Sequence, residues 1–421
     1  MPRRRTLQKG VWSLLAIAAI AGTAALAAAA PPVDSSPQAA QATPATPRVR
    51  VWWPDDLYPP ENSEAEALLL RQWDGFRGTY RSYDLEVRRK RASGLGGILP
   101  TLRAASSVAT GALPDLTLMR RSDLVTAAAE GLLVPITDWV PADMLDDLLP
   151  GGQALGEVDG TLYGVPYALT VTHTLYRPSA FSEPPTSFAD ILREQPAYLF
   201  PAGSGASAVV SPTLLLQYLQ AGGRLSDDEG NPTLDRTPVM SVLQYYATGV
   251  AQELFGPELL DYTQSTSYWG DFVSGEADLI HLDSSYYLAH QAEVENVAVG
   301  TIPTQNGEPV TALNGWMWVL VTHDPDRQDR ARAFFSWMMR ASQQAALTEA
   351  LHIIPSQARA LELWQDQTYA AFAAEVIGSG RIVVSELRSP AAAALQEAFA
   401  DVLRGMSPVQ AADDAIASLL E

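Results

Sequence analysis

Aromatic and charged side chains follow several predicted strands of this sequence, at positions where they could contact a small molecule. Trp53 ends the first strand and is followed by Asp55, Arg120 comes after the apolar strand 116–119, and Asp283 comes after the apolar strand 277–282. Aromatic rings stack on the apolar C–H face of a sugar ring, while carboxylates and guanidinium groups form hydrogen bonds with its hydroxyls. In open α/β sheets, ligands bind at such strand ends. These residue types at strand ends are therefore candidates for contacts with a small-molecule ligand.

Further aromatic residues are candidates for the same site. They are Tyr167, Trp269, Tyr286 and Trp316. Trp316 follows the turn-forming pair Asn314-Gly315, which directs the next side chain outward at the start of a predicted buried strand. Strand alternation then places Trp318 and Leu320 on the same face as Trp316. Each of these aromatic residues can instead belong to a hydrophobic core. A ligand-contacting Trp316 predicts that Trp316→Ala weakens binding with little loss of stability.

The chain lacks several residue types on which enzymes depend. It has no cysteine and only two lysines, Lys9 and Lys90, which excludes thiolate nucleophiles, a lipid-modified cysteine and the GxxxxGK phosphate loop. The histidines are scattered and form no His-Glu-x-x-His pattern, and residues 203–207 do not fit the Gly-x-Ser-x-Gly pattern of esterases. We therefore predict no catalytic residues, no metal and no cofactor. The 48 acidic residues still leave open the paired carboxylates of a secreted polysaccharide-acting enzyme.

The charge of the chain is strongly negative and unevenly distributed. The 28 basic and 48 acidic residues give a formal net charge of −20, which excludes nucleic acid as a partner because phosphates require a basic surface. Residues 122–421 hold 12 basic and 38 acidic side chains, whereas residues 48–121 hold 12 basic and 9 acidic ones. An acidic surface of this kind favours a soluble protein.

The N-terminal residues have the composition of an export signal. Arg3, Arg4, Arg5 and Lys9 precede an apolar, uncharged run over 11–30, and Ala25 and Ala27 form an A-x-A cleavage site. The run is also long enough to remain as an uncleaved membrane anchor. The n-region loosely resembles a twin-arginine signal. Residues 31–47 are rich in Pro, Ala, Ser and Thr and predict a disordered linker. The folded part is thus expected outside the cytoplasmic membrane, secreted or in the cell envelope.

The remaining chain alternates between strand and helix periodicity, which indicates an α/β fold with mostly parallel sheets. Asp159-Gly160 predicts a hairpin with a type I′ turn, and Asn306-Gly307 predicts a second hairpin. The strands are predicted at 48–54, 84–88, 116–119, near 168–176 and at 316–321, and the helices at 64–80, 98–109, 212–221, 327–347, 391–404 and 408–420.

The order of these elements and a series of short phrases resemble an extracellular solute-binding protein of an ABC importer, of the sugar-binding family that includes maltose-binding protein. The phrases are Leu113-Pro114-Asp115-Leu116, Gly131-Leu132-Leu133-Val134-Pro135-Ile136, Leu162-Tyr163-Gly164-Val165-Pro166-Tyr167, Phe272-Val273-Ser274-Gly275-Glu276-Ala277, Pro303-Thr304-Gln305-Asn306-Gly307, Leu313-Asn314-Gly315-Trp316 and Ile354-Pro355-Ser356. The resemblance extends from about residue 49 to the C-terminus. In the maltose-binding branch the segment before the penultimate helix has aromatic residues, whereas residues 385–392 have none here.

The resemblance implies the two-lobed periplasmic-binding-protein fold, with each lobe a mostly parallel sheet flanked by helices and a ligand cleft between the lobes. One lobe would comprise 48–166 and 309–350, and the other 167–308 and 351–421. Hinge segments would close the lobes around the ligand. A monomer that captures a carbohydrate and delivers it to membrane permease subunits is implied. An acidic or other non-sugar solute, held by Arg120 and Arg121, is the alternative with the same architecture.

Overall fold

The computed structural model describes residues 46–204, 210–383 and 385–420. The predicted signal or anchor and almost all of the predicted linker lie outside the described residues. Among the described helices, none has both the length and the apolar character that crossing a membrane requires.

The strands and helices alternate along most of the chain. The strands are β1 Arg48–Pro54, β2 Asp84–Lys90, β3 Leu116–Arg120, β4 Glu157–Val158, β5 Thr161–Leu162, β6 Gly164–Tyr176, β7 Tyr198–Leu199, β8 Leu279–Asp283, β9 Ala298–Gly300, β10 Thr311–Leu320, β11 Ile354–Pro355 and β12 Gly380–Arg381. The helices are α1 Glu64–Thr79, α2 Ile98–Ala105, α3 Arg121–Ala129, α4 Ala142–Asp146, α5 Phe188–Glu194, α6 Pro212–Gln220, α7 Arg236–Ala251, α8 Trp269–Ser274, α9 Ser284–His290, α10 Pro325–Met338, α11 Ala341–Ala350, α12 Ala358–Leu361, α13 Gln367–Ile377, α14 Pro390–Leu403 and α15 Pro408–Ser418.

A mixed sheet runs through the fold in the order β2-β1-β3-β10-β6-β8-β7. The pairs β1–β2, β1–β3 and β7–β8 are parallel, and β10 is antiparallel to both β3 and β6. The alternating apolar residues of β1 explain its position, since Val51 and Trp53 pack on one face of the sheet and Trp52 packs on the other. Helices cover both faces, as the α/β pattern of the sequence predicts.

The long strand β6 belongs to two halves of the sheet. Its residues 164–171 pair with β10, whereas residues 172–176 pair with β8. Two hydrophobic clusters cover the opposite faces of β1, β3 and β10, and the largest cluster packs around β7, β8, α6, α7, α14 and α15. The result is two lobes that share β6. The residue boundaries of the lobes given by the resemblance stay a prediction.

Several sequence-based predictions agree with these elements. Asp159 and Gly160 have φ values of 50° and 75°, as a type I′ turn requires, and β4 and β5 flank them as an antiparallel pair. Trp316, Trp318 and Leu320 belong to one cluster, and Met317 and Val319 belong to the cluster on the other face. The predicted alternation of β10 is therefore confirmed.

Two element predictions were wrong. Asn306-Gly307 does not close a hairpin, because β9 and β10 do not pair with each other but pair with different residues of β6. The helix predicted over 327–347 is two helices, because the extended backbone of Arg340 separates α10 from α11. This break allows α11 to pack on α1, where Gln72 Nε2 donates to the carbonyl oxygen of Gln343 at 2.8 Å.

Two histidines lie fully buried on adjacent strands of the second half of the sheet. His281 on β8 is within hydrogen-bond distance of the Tyr198 hydroxyl and the Thr213 hydroxyl, at 2.5 and 2.7 Å, and His173 Nε2 lies 3.2 Å from the Tyr369 hydroxyl. Burial lowers the pKa of His173 to about 4 and the pKa of His281 to about 3. Both side chains are therefore neutral in the folded protein at neutral pH.

We predict that acidification destabilises the protein through these histidines. Their folded-state pKa lies below the unfolded value of about 6.5, so their contribution is complete above that pH and is lost as the pH falls toward the folded-state pKa. One such histidine accounts for about 2 kcal/mol between pH 7.5 and pH 5. Over this range, urea unfolding should show that His281→Gln loses about 2 kcal/mol less stability than the unsubstituted protein.

His323→Gln is the control, because it removes an exposed imidazole and keeps both buried histidines. Burial raises the pKa of Asp115 and of Asp283, so protonation of these carboxyl groups favours the folded state as the pH falls. They are present in all three proteins, so their effect cancels in the comparison. Identical pH dependence of His281→Gln and the unsubstituted protein would contradict the prediction.

Candidate ligand-binding site

Two adjoining cavities lie beside the point where β6 passes from one half of the sheet to the other. Their volumes are about 420 and 290 Å³, and Asp56, Arg120 and Trp316 line both. The larger cavity is also lined by Thr170 of β6 and by Asp283 at the end of β8. Residues from both lobes therefore meet in one cleft, and three of the predicted site residues are among them.

The centre of this cleft is the pair formed by Arg120 and Trp316. The two residues are directly opposite each other on the antiparallel strands β3 and β10, so their side chains share one face of the sheet. The Arg120 guanidinium carbon lies 4.6 Å from the centroid of the Trp316 ring, and Arg120 Nη2 donates to Asp56 Oδ2 at 3.1 Å. The result is a cation–π contact whose cation is paired with a carboxylate.

The burial of Trp316 changes one expectation from the sequence. Only 6% of its surface is exposed, and it packs in the same cluster as Trp318. A truncation to alanine would therefore remove core contacts as well as any contact with a ligand, and it should lower stability too. A substitution that preserves apolar volume is needed to separate the two effects.

Carboxylates supply hydrogen-bond acceptors on both sides of the cleft. Asp283 caps α9, and its Oδ1 accepts from Ser285 N at 2.9 Å and from Ser285 Oγ at 2.6 Å. Burial raises the pKa of Asp283, while these hydrogen bonds and the charge of Arg120 act in the opposite direction. In the smaller cavity, burial likewise raises the pKa of Asp123. Asn314 adds an amide to the wall of the larger cavity.

Two residues that the sequence assigned to the site, Arg121 for an acidic solute and Asp55 for a sugar, have other contacts in the structure. Arg121 points away from Arg120, and its Nη1 donates to the carbonyl oxygens of Ala154, Leu155 and Glu157 at 2.7 to 3.0 Å. Arg121 therefore anchors a backbone segment instead of adding a second guanidinium to the cleft.

The Asp55 side chain also forms hydrogen bonds with backbone groups. Its Oδ1 accepts from the backbone N–H of Ala92 at 2.8 Å and from that of Asp56 at 3.1 Å. Its side chain thus joins the loop after β1 to the loop after β2, and the neighbouring residue Asp56 lines the cleft instead.

Trp53 and Tyr167, predicted as ligand contacts, lie fully buried in the core beneath the cleft. Trp53 Nε1 donates to the carbonyl oxygen of Leu57 at 3.0 Å, and its ring packs edge-on against Tyr167 and Trp318, with centroids 6.4 and 5.8 Å away. Among the described residues the Tyr167 hydroxyl has no hydrogen-bond partner, and burial raises its pKa. We therefore place both residues in the core rather than in the site.

Trp269 and Tyr286 form a separate aromatic cluster on the second lobe. Trp269 Nε1 donates to Glu293 Oε2 at 2.8 Å, and the Tyr286 ring stacks on His290 with centroids 4.1 Å apart. The two predicted residues contact each other edge-on at 5.4 Å, but neither lines the two cavities of the cleft.

Sequence reasoning did not select several residues that line the cleft. They are Asp56, Asp123, Thr170, Ser285 and Asn314. Asn314 and Ser285 each lie within two residues of a predicted site residue, and this closeness in sequence could have identified them. Asp123 belongs to α3, a helix that the periodicity did not predict. Among the described residues, no group of three or more acidic or histidine side chains is arranged to hold a metal ion.

We predict that Tyr167→Phe leaves the free energy of unfolding unchanged or raises it by about 1 kcal/mol, because it removes a buried hydroxyl without a partner. Tyr246→Phe is a matched control. Tyr246 is equally buried, but its hydroxyl donates to Gln217 Oε1 at 2.6 Å, so its loss should cost about 1 kcal/mol. Urea unfolding measures both. A loss for Tyr167→Phe equal to that of the control would show that its hydroxyl has a partner.

Comparisons with known proteins agree with this architecture. The sugar-binding protein MalE from Xanthomonas citri superposes with a TM-score of 0.67 at 17% identity, covering 89% of this chain and 97% of that one. A cyclic alpha-maltosyl-1,6-maltose binding protein from Arthrobacter globiformis gives a TM-score of 0.65 at 18% identity, covering 88% and 97%. These likenesses show that the fold is the two-lobed fold of maltose-binding-type proteins.

A curated relative matches over a shorter region. The maltotriose-binding protein of Pyrococcus abyssi is 27% identical over 153 residues, which is 35% of this chain and 34% of that protein. The match thus spans about a third of the relative's length.

The family model of bacterial extracellular solute-binding proteins matches residues 83–374, which is more than half of the chain. Proteins of this family bind solutes, which excludes the interpretation as a secreted polysaccharide-acting enzyme. The chain therefore belongs to the bacterial extracellular solute-binding proteins, and it is a binding protein rather than an enzyme.

Proposed function

We propose that the protein binds a carbohydrate in the cleft around Arg120 and Trp316. The observation that supports this most directly is the combination of an indole ring with carboxylates on both sides of it. Asp56 lies on the first lobe and Asp283 on the second, and both line the larger cavity together with Trp316. Sugar recognition combines an aromatic surface for the ring with such acceptors for the hydroxyls.

The walls of the cavity also suit a ligand that is partly apolar and uncharged. Leu57, Leu351 and Ile353 supply apolar surface, and Thr170 and Asn314 supply neutral polar groups. A cavity of about 420 Å³ lies within the range of small-molecule sites, which is roughly 300 to 1,000 Å³. The relatives named above are described as binding maltose-type sugars, which supports a carbohydrate as the ligand of this chain too.

An acidic solute is the second candidate, and the contacts of the two arginines disfavour it. Arg120 is already paired with Asp56, and Arg121 is engaged with backbone carbonyl oxygens. The cleft also contains Asp123 and Asp283, so an anionic ligand would meet carboxylates that outnumber the cation. The negative charges of these carboxylates would repel an anionic ligand and oppose its binding.

Delivery to an ABC permease outside the cytoplasmic membrane completes the proposal. It is supported by the family and by the export-type composition of residues 3–30. Residues from both lobes line the larger cavity, so closure of the lobes about the shared strand β6 would enclose the ligand before delivery.

We predict that neutral oligosaccharides, and not their acidic counterparts, raise the melting temperature of the protein. A ligand that binds only the folded state stabilises it by about 2.7 kcal/mol at 100 times its Kd. Thermal unfolding should be measured with maltose, maltotriose, other neutral disaccharides and the uronic acids of glucose and galactose. Stabilisation by a uronic acid alone would favour the acidic-solute alternative, and stabilisation by none of a broad sugar panel would contradict the carbohydrate proposal.

We predict that Trp316→Leu weakens binding of the stabilising sugar at least about 30-fold, because loss of a central aromatic contact costs about 2 kcal/mol of binding energy. Trp139→Leu is a closely matched control. Trp139 belongs to the same cluster, is 7% exposed and also lies beneath an arginine, Arg332, at 5.7 Å, but it lines neither cavity of the cleft.

Isothermal titration and thermal unfolding of both variants give the test. Both substitutions should lower the melting temperature, since each removes part of a buried indole. Only Trp316→Leu should lower affinity. Equal affinity of the two variants for the sugar would show that Trp316 is a core residue without a role in binding.

A further inference from the structure

The edge strand β2 has a charge opposite to that of the protein as a whole. The sheet begins at β2, and four consecutive cations, Arg88, Arg89, Lys90 and Arg91, lie at the end of this strand and just after it. The side chains of Arg88 and Arg89 are 57% and 50% exposed. In a chain of net charge −20, such a concentration of exposed cations is a local reversal.

Nearby carboxylates neutralise this edge only in part. Arg48 on the neighbouring strand pairs with Asp84 at 2.9 Å, Glu86 lies between Arg48 and Arg88 at 3.1 and 2.5 Å, and Glu61 lies 3.7 Å from Arg89. With Arg50, the six cations of this edge exceed its three carboxylates by three charges. Exposed ion pairs of this kind contribute little to folding stability, so these arginines can readily pair with other anions instead. Arg89 and Lys90 also lie over aromatic rings, those of Tyr58 and Trp52, each 4.6 Å from the ring centroid. Because Arg88, Arg89 and Arg91 are nevertheless exposed, they can contact an external anionic surface.

The loop after β2 extends this edge with an apolar side chain. Leu95 is 93% exposed between Gly94 and Gly96, which both have positive φ values, and Arg91 Nη1 donates to the Leu95 carbonyl oxygen at 3.5 Å. Surfaces that lie at the lipid headgroup region combine cations with exposed apolar side chains in this way.

The chain enters the fold at the same edge. The Pro47 carbonyl oxygen accepts a hydrogen bond from Asp84 N at 2.9 Å, so the segment that precedes β1 runs alongside the start of β2. Upstream are the linker 31–47 and the apolar, uncharged run over 11–30. A linker of this length spans at most about 60 Å when fully extended. An N-terminus held in a membrane would therefore keep the start of β1 within about 60 Å of the lipid headgroups.

We propose that the basic edge formed by Arg48, Arg50 and Arg88–Arg91 docks the protein on the anionic headgroups of the membrane. Polybasic surfaces bind anionic lipid through long-range attraction that salt screens. The basic edge ends next to the smaller cavity of the cleft, because Ala92 and Ser93 directly follow Arg91 and line that cavity, whereas Thr170, Asp283 and Asn314 line the larger cavity. The edge would then hold the binding protein near its membrane partners.

The full chain should be tested with vesicles of phosphatidylcholine alone and with vesicles containing 30% phosphatidylglycerol, by cosedimentation at rising NaCl concentration. A variant with Arg88, Arg89, Lys90 and Arg91 each changed to Gln should lose at least tenfold of the partition constant on the anionic vesicles. On phosphatidylcholine it should match the unsubstituted protein. The difference between the two proteins should disappear at 0.5 M NaCl.

A second variant controls for net charge. Changing Arg193, Arg236, Arg388 and Arg404 to Gln removes four exposed cations located away from β2, so that both variants have the same net charge. This control should bind anionic vesicles like the unsubstituted protein. If all of the protein cosediments with both kinds of vesicle, for example because the N-terminal run inserts in them, trypsin should be used instead. The rate of cleavage within 88–91 should then be lower on the anionic vesicles than on phosphatidylcholine.

Equal binding of the β2 variant and the unsubstituted protein to anionic vesicles would overturn the proposal. The same holds if the control variant loses as much binding as the β2 variant, because net charge alone would then explain the effect. Binding of the β2 edge to an acidic protein in the absence of vesicles, with no dependence on anionic lipid, would identify a protein partner instead.

Discussion

The antiparallel pairing of β6 with β10 is the interaction on which the rest of this fold depends. β6 continues from its pairing with β10 into its pairing with β8, so one strand provides hydrogen bonds to both halves of the sheet. Each half then builds its own hydrophobic cluster. The cleft lies at this shared strand, where Asp56 and Trp316 of one half and Asp283 of the other line one cavity. Its position thus follows from backbone pairing.

The polar side chains of the cleft are held by contacts that do not involve a ligand. Arg120 is stacked on Trp316 and paired with Asp56, and Asp283 is fixed as the cap of α9. Such contacts reduce the number of side-chain conformations that a ligand must restrict on binding. A sugar that stacks on the indole face, as proposed above, would have to displace the Arg120 guanidinium from it. Arg120 would then compete with the sugar for the indole face and also donate hydrogen bonds to it.

Local patterns in the sequence predicted much of the fold but only part of the site. The bounds of β1 and the two faces of β10 follow from alternation, which depends only on neighbouring residues. Trp53 and Tyr167 were assigned to the site because a core aromatic and a ligand-stacking aromatic have the same local sequence. Trp318, 265 residues after Trp53, covers that ring, and no local pattern contains this contact. Arg121 was expected to hold an acidic solute, but its partners are the carbonyl oxygens of 154–157. These residues are also distant in sequence, so no local pattern contains this contact either.

The pairing of β10 with β6 shifts register between Trp316 and Met317, at the position where the cleft meets the core. Because side chains alternate with a period of two residues, one inserted or deleted residue in β10 would exchange every side chain beyond it between the two faces. Trp318 would then enter the opposite cluster, and a change before Trp316 would also turn this ring away, so that the cleft would lose its aromatic wall. Length changes are therefore tolerated far better in the loops that hold Asp56, Ser93 and Ile353 than within β10, where the cleft can vary only by substitution.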